Sequence, residues 1–175
     1  MRWLLASGMI YHVHNVSKPA FPLDGYKENA FKAYFLDVGL LGAKAHLSAR
    51  TLLEGNKVFQ EFKGALAEQY VQQQLRAELG AIPYYWAKSS AAEVDFLVES
   101  EDSIIPIEVK AETNLQAKSL KLYCRKHNPR MAFRMSMGKL YRQVIEGEGD
   151  ISRRYTLIDL PLYAVSQFGK LCSQG

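Results

Sequence analysis

The sequence predicts an α/β fold in which helices flank a mixed sheet. Apolar residues recur at helical spacing over residues 63–79, and three short runs typical of strands follow within residues 83–110. A second helical segment and two further strand-like runs alternate over residues 115–158. Because amphipathic helices bury their apolar sides on neighbouring strands, this order of elements predicts a layered α/β domain.

Residues 1–48 are predicted to form a small unit ahead of this domain. A short helix, a strand, a turn-rich segment with two prolines and a second strand precede Asp37, which can cap a further helix. This order of elements resembles the tail of a winged-helix module that lacks its beginning. We therefore divide the chain into residues 1–48, a partial winged-helix-like segment, and residues 49–175.

The helix predicted over residues 63–79 carries a carboxylate within its apolar stripe. At about 100° per residue, Glu68 lies about 60° from Val71, inside the stripe. Burial of a carboxylate is costly unless it meets a cation or a hydrogen-bond donor. Glu68 therefore either serves a site or reaches solvent at the rim of the helix. The stripe consists of Gly64, Ala67, Val71, Leu75 and Leu79.

Three strands are predicted next, over residues 83–88, 93–99 and 104–110. The first is aromatic, which is typical of a core strand and also of a surface that stacks on unpaired bases. Strict alternation in the second strand places Val94, Phe96 and Val98 on one face and Asp95 on the other. In the third strand, Glu108 and Lys110 share a face opposite Ile107 and Val109. We therefore expect Asp95, Glu108 and Lys110 to converge.

The last third of the sequence predicts a helix, a strand, a loop and a final strand. The helix covers residues 115–127 and precedes Pro129, and the strand covers residues 131–136. Residues 138–152 are polar and contain glycine, so we predict a loop there. The final strand is predicted over residues 155–158.

Composition excludes several classes of protein. The 175 residues suffice for one domain and a small second unit, and 48% hydrophobic with 23% charged residues is typical of a folded globular chain. No apolar run approaches the ~18 residues of a membrane span, so we expect no membrane association. Two cysteines do not form a disulfide framework. We expect a cytoplasmic protein with free thiols.

Charge is distributed unevenly along the chain. The segment from Lys118 to Arg142 contains eight lysines and arginines and no acidic residue. Such a run attracts phosphate backbones, although a solvated basic surface has the same composition. Within the predicted helix Lys118, Lys121 and Arg125 lie on one side, where they can hold the backbone of a nucleic acid.

The spacing of three charged residues is typical of a metal-dependent nuclease. Asp95 is followed after twelve residues by Glu108-Val109-Lys110. Two carboxylates from adjacent strands suit a hard cation, Mg²⁺ or Mn²⁺, which lowers the pKa of a bound water and neutralises charge on the reacting phosphate. Lys110 can orient the water or balance the transition-state charge, and Glu68 can supply a third ligand or orient one. Singly, each residue also fits an exposed strand position.

The pattern Asp95 … Glu108-Val109-Lys110 resembles the motif of the PD-(D/E)XK nuclease superfamily. With further segments it also resembles a domain of unknown function that follows an AAA-type ATPase module and a winged helix in many prokaryotic proteins. The resemblance implies a restriction-endonuclease-like fold and metal-dependent cleavage of DNA. Since the superfamily includes members that have lost cleavage, the motif leaves activity open. The segments are Tyr34–Leu41, Gly64–Glu68, Tyr85–Trp86, Ala92–Phe96, Pro106–Lys110 and Leu160–Ala164.

The same resemblance implies an ATPase module upstream of this chain. The sequence contains no glycine-rich phosphate-binding loop that ends in Lys-Ser or Lys-Thr. We therefore expect ATP hydrolysis to lie outside this chain, and Met1 to begin a cloned fragment or a truncated gene product.

Three functions are compatible with the sequence. In the first, the domain cleaves nucleic acid, with a metal held by Asp95, Glu108 and Glu68. In the second, the fold binds DNA or docks an ATPase without cleaving. In the third, the basic run contacts an acidic protein partner. The sequence makes no prediction of oligomeric state.

Overall fold

An eight-stranded mixed sheet with helices on both faces forms the centre of the computed structural model. The structure describes residues 2–47, 57–88, 92–101, 103–111, 116–147 and 150–173. The expected fold class, a mixed sheet flanked by helices, is confirmed at this level.

The elements follow in the order that the sequence predicts, with one additional strand. The helices are α1 (Arg2–Ala6), α2 (Val38–Lys44), α3 (Lys57–Leu79), α4 (Lys118–His127) and α5 (Phe168–Cys172). The strands are β1 (Ile10–Val16), β2 (Lys27–Phe35), β3 (Tyr84–Ala87), β4 (Glu93–Ser100), β5 (Ser103–Lys110), β6 (Met131–Ser136), β7 (Tyr141–Gly147) and β8 (Asp150–Pro161). Two 3₁₀ turns cover Leu23–Tyr26 and Leu162–Gln167.

The strands are ordered β2-β1-β3-β4-β5-β6-β8-β7 across the sheet. Pairing is parallel between β1 and β3, between β5 and β6, and between β6 and β8, and antiparallel elsewhere. Asn15 pairs with Tyr85, so β1 and β2 extend the sheet that carries the motif. The domain boundary expected between residues 48 and 49 lies outside the described residues.

Two cores lie on the two faces of the sheet, because apolar side chains alternate along the central strands. The core on the α3 side contains Val71 and Leu75 of that helix, which are fully buried. The core on the α4 side contains Leu120, Tyr123 and Cys124. Gly64, expected in the apolar stripe of α3, is exposed, whereas the rest of that stripe packs inward.

The aromatic strand β3 belongs to the core. Trp86 is 2% exposed and makes edge contacts with the rings of Tyr123 and His127. Tyr85 is also buried, while the hydroxyl of Tyr84 donates to Asp24 at the surface. Of the two interpretations of this strand, a core strand or a surface that stacks on bases, the structure therefore supports the core strand.

The prediction of a loop over residues 138–152 is wrong, since this segment contains β7 and the start of β8. As the outermost strand, β7 pairs only with β8 among the described residues. Tyr141 and Val144 are exposed, so β7 lacks the apolar alternation of a strand that covers a core. Its polar composition and glycine therefore suggest a loop when read from the sequence alone.

A buried ion pair joins β6 to β8, which neighbours the edge strand β7. The guanidinium of Arg134 donates two hydrogen bonds to the carboxylate of Asp159, its register partner, and both residues are buried. A bidentate pair of this kind satisfies both oxygens of the carboxylate and fixes the register of the two strands.

Cys124 and Cys172 carry free thiols, as the sequence predicts. Within the described parts of the chain, no helix is both long enough and apolar enough to traverse a lipid bilayer.

Candidate functional site

The candidate site lies where β4 and β5 separate. Their antiparallel pairing runs from Ser100 opposite Ser103 to Phe96 opposite Ile107. Beyond this point the side chain of Asp95 replaces the backbone as acceptor: its Oδ2 accepts a hydrogen bond of 2.7 Å from the amide of Val109. Asp95 is thereby fixed beside the end of β5 that carries Glu108 and Lys110.

A bulge in β4 turns Asp95 towards this position. Tyr84 of β3 pairs with Leu97 and Trp86 pairs with Val94, so β4 has one residue more than β3 between these pairs. Val94 therefore packs in the α4-side core together with Leu97, and Phe96 packs in the opposite core. The expectation that Val94 shares a face with Phe96 and Val98 is thus wrong, because the extra residue interrupts the alternation.

Glu108 and Lys110 occupy the face of β5 that alternation predicts. Ile107 and Val109 pack in the α3-side core, and Glu108 is 5% exposed. Oε1 of Glu108 lies 2.6 Å from Nζ of Lys110, which is partly exposed. Oε2 of Glu108 is buried and has no hydrogen-bond partner among the described residues. An unpartnered buried oxygen of this kind marks a place for a cation or a water.

Glu68 reaches the site from α3 and contacts both a hydrogen-bond donor and a cation, the two kinds of partner that stabilise a partly buried carboxylate. Oε2 of Glu68 accepts a hydrogen bond of 3.1 Å from the hydroxyl of Tyr34 and lies 3.5 Å from Nζ of Lys32. Lys32 and Tyr34 are alternate residues of β2, so they point to the same side of the sheet. Glu68 thus contacts a cation and a hydrogen-bond donor, while its side chain stays 33% exposed.

Lys32 is the site residue that the sequence analysis missed. Its Nζ lies 2.5 Å from Oε1 of Glu93 and 3.7 Å from Oδ1 of Asp95, in addition to Glu68. The one signal in the sequence is Lys32-Ala33-Tyr34, two polar groups on the same face of a predicted strand. Nothing in that signal points to a motif some sixty residues further along the chain.

Burial, and after it the charge of neighbouring carboxylates, raises the pKa of two carboxyl groups of the site. Burial, with the nearby charges of Glu108 and Glu68, raises the pKa of Asp95 to about 7, although the Val109 amide and Lys32 act in the opposite direction. Burial also raises the pKa of Glu108, against the opposing effect of Lys110. Burial lowers the pKa of Lys32, but Glu68, Glu93 and Asp95 together outweigh it, so that this pKa is raised.

The charges of this site fit a divalent cation. Among the described residues the network joins four carboxylates to two ammonium groups, which leaves an excess of two negative charges when all are ionised. Asp95 and Glu108 would hold the cation, since Glu108 offers an unpartnered oxygen and the pKa of both carboxyl groups is raised by burial. The carboxylates are Glu68, Glu93, Asp95 and Glu108, and the ammonium groups are those of Lys32 and Lys110.

The predicted basic residues lie on the exposed side of α4. Lys118, Lys121 and Arg125 are exposed, while the opposite side of the helix packs on the face of the sheet away from α3. Lys118 is the first residue of the helix. At 1.5 Å per residue, Arg125 is about 10 Å further along its axis.

Fold and site together define an α/β domain whose mixed sheet carries carboxylates and a lysine at the point where two paired strands separate. Residues 63–163 match the family described as Domain of unknown function (DUF4143), and the chain belongs to that family. No curated protein matches the chain significantly. Lys32 and Tyr34 lie outside the matched residues, whereas Glu68, Asp95, Glu108 and Lys110 lie within them.

Proposed function

We propose that this chain is a nuclease-like domain that cleaves phosphodiester bonds of DNA with Mg²⁺ or Mn²⁺. One observation carries the proposal: the hydrogen bond from the Val109 amide fixes Asp95 beside Glu108 and Lys110, where one oxygen of Glu108 is left without a partner. An eight-stranded mixed sheet flanked by helices is compatible with the restriction-endonuclease-like fold and with membership of the PD-(D/E)XK superfamily.

Each side chain of the site has a distinct task in this proposal. Asp95 and Glu108 would hold the cation, which would lower the pKa of a water and offset charge on the phosphate. Lys110 is paired with Glu108 and partly exposed, so its ammonium is placed to orient the attacking water or to balance charge at the phosphate. Glu68 is held by Tyr34 and Lys32, and it acts as an additional ligand or orients one.

Titration with Mn²⁺ tests the metal site, and we expect binding that depends on pH. Because the pKa of Asp95 is raised to about 7, a proton must leave before a cation binds below this pH. The affinity should fall by about tenfold for each pH unit below 7 and level off above it. Electron paramagnetic resonance of free Mn²⁺ at pH 5.5 and pH 8 measures this difference.

Density for Mn²⁺ in soaked crystals gives the location of the ion. A peak between Asp95 and Glu108 supports the assignment of these ligands. Asp24→Asn removes an exposed carboxylate far along the chain from the motif and is the matched control, for which we expect unchanged binding. Absence of Mn²⁺ binding at pH 8, or an affinity that is the same at both pH values, contradicts the proposed site.

The basic side of α4 is expected to bind DNA through the phosphate backbone. Changing Lys118, Lys121 and Arg125 together to Ala should weaken binding of a short duplex and lower the slope of log affinity against log salt by roughly 2 to 3. Fluorescence anisotropy between about 50 and 200 mM salt measures both quantities. The control changes Lys18, Lys27 and Lys44 to Ala, which removes equal charge from exposed positions; equal losses in both triple variants contradict a specific role for α4.

Binding without cleavage is the second candidate function, and one observation favours it. Among the described residues, no three His, Cys, Asp or Glu side chains stand close enough together to hold a metal without rearrangement. In that case the domain binds DNA or docks a protein, and no product forms at any metal concentration. We further propose an AAA-type ATPase module upstream in the parent protein, and a winged-helix origin for residues 1–48.

A further inference from the structure

The outer edge of β7 has no neighbouring strand in the part of the chain that the structure describes. β7 pairs with β8 along its other edge, and it is the last strand of the sheet. This pairing is regular from Tyr141 to Glu146, and the first irregularity falls between Glu146 and Gly147. The outward backbone groups of this stretch are therefore spaced as in a regular strand and can pair with a further strand.

Large apolar side chains are concentrated at this edge. Val144 lies on the α3 side of the sheet, since its register partner Thr156 alternates with Ile158 of that core. Ile145, on the other side, packs against the α4-side core, whereas Val144 is left exposed. A strand beside β7 would cover Val144. The apolar side chains of residues 137–144 that are 59% to 71% exposed are Met137, Leu140, Tyr141 and Val144.

The charges of β7 are complementary to those of the same strand in the opposite direction. In an antiparallel pair about a two-fold axis through Val144, residues equally distant from position 144 face each other. Arg142 of each copy then lies opposite Glu146 of the other, and the two Val144 side chains meet at the axis. Both charged residues are exposed, and alternation places them on the same face as Val144. Cross-strand pairs of opposite charge stabilise a sheet.

Neighbouring registers lack this match. Residues that face each other across such an axis share a face of the sheet, so the axis passes through a residue. An axis at Gln143 places Arg142 opposite Val144, and an axis at Ile145 places Val144 opposite Glu146. Each of these registers sets a charge against an apolar side chain, so the charge pattern favours the axis at Val144.

We propose that β7 is the surface on which a second copy of this chain docks, by antiparallel pairing of the two β7 strands about Val144. The two eight-stranded sheets then form one continuous sheet. The contact uses no residue of the candidate metal site, so it is independent of the proposed function.

Sedimentation velocity of the full chain at increasing concentration tests this proposal. Because pairing along one strand edge makes a small interface, the dimer should dissociate on dilution. We expect the wild-type chain to change from monomer to dimer between about 1 and 300 μM. Amide hydrogen exchange at both concentrations locates the contact, since the outward amides of residues 141–146 should exchange more slowly in the dimer.

Reversal of charge tests the register. Arg142→Glu places glutamates opposite each other in both charged pairs, and Glu146→Arg does the same with arginines. Each variant should therefore dimerise at least about tenfold more weakly. An equimolar mixture of the two variants restores opposite charges in both pairs and should associate about as well as the wild type. The chain with both changes should also dimerise, since each pair stays complementary.

A matched variant separates this effect from net charge. Lys44→Glu reverses the same charge at an exposed position of α2 and should dimerise as the wild type does. Thermal unfolding shows whether each variant is folded before its sedimentation is measured.

A wild-type chain that stays monomeric over this range overturns the proposal. A dimer that persists unchanged in both Arg142→Glu and Glu146→Arg overturns it as well. Failure of the mixed variants to associate, when the wild type does, overturns pairing about Val144. None of these outcomes bears on the proposed metal site, whose carboxylates lie on α3, β4 and β5.

Discussion

Asp95→Asn and Lys110→Ala should each lower the rate of metal-dependent cleavage of DNA by at least about a hundredfold. Asn at position 95 can still accept the hydrogen bond from the Val109 amide, but it removes the anionic oxygen that binds the cation. Ala at position 110 removes the ammonium that neighbours Glu108. Conversion of a supercoiled plasmid in the presence of Mn²⁺ measures the rate.

The controls for this experiment remove the same charges elsewhere. Asp24→Asn and Lys170→Ala change residues with exposed side-chain contacts and should cleave at the wild-type rate. All proteins are purified in parallel, so that a contaminating nuclease appears equally in every sample. Cleavage that persists in both Asp95→Asn and Lys110→Ala refutes the assignment of the site, and so does a loss shared by the controls.

The largest effect on stability is expected at the buried pair of Arg134 and Asp159. Asp159→Leu removes the carboxylate that accepts two hydrogen bonds from the buried guanidinium of Arg134. Removing one member of a buried pair costs about 3–5 kcal/mol. At about 2–4 °C per kcal/mol for a chain of this size, the melting temperature should fall by roughly 10 °C, measured by calorimetry.

A double variant shows whether the loss arises from breaking the buried ion pair. Arg134→Met combined with Asp159→Leu replaces the pair by apolar groups, and such replacements are often neutral. We expect the double variant to recover most of the melting temperature that Asp159→Leu loses. If both variants are equally destabilised, packing rather than the broken ion pair determines the effect.

The elements of the central sheet could be predicted because their patterns are local. β6 has the bounds that the sequence predicts, Met131–Ser136, since a short, mainly apolar run between Pro129 and Gly138 defines it. Glu108 and Lys110 were likewise predictable, because alternation in β5 is undisturbed. β7 was missed because an edge strand with exposed side chains lacks the apolar alternation on which the prediction depends.

The rest of the candidate site depends on contacts between distant segments. The bulge in β4 is invisible in the sequence, since Val94-Asp95-Phe96 also fits regular alternation; only pairing with β3 reveals the extra residue. Lys32 joins the network because β1 and β2 extend the sheet beside β3, and no spacing rule predicts that neighbour. The sequence predicts that Asp95 lies near Glu108, but it does not predict the hydrogen bond from the Val109 amide that holds Asp95 there.

The pairing of β1 with β3 limits how the chain can be shortened. A fragment that starts at residue 63, where the family match begins, lacks Lys32 and Tyr34 and leaves β3 as a bare sheet edge. Such an edge offers unpaired backbone groups to other copies and favours aggregation. Expression of the matched range alone should therefore give an aggregation-prone protein whose candidate site lacks one positive charge. Lack of activity in such a fragment gives no information about the intact chain.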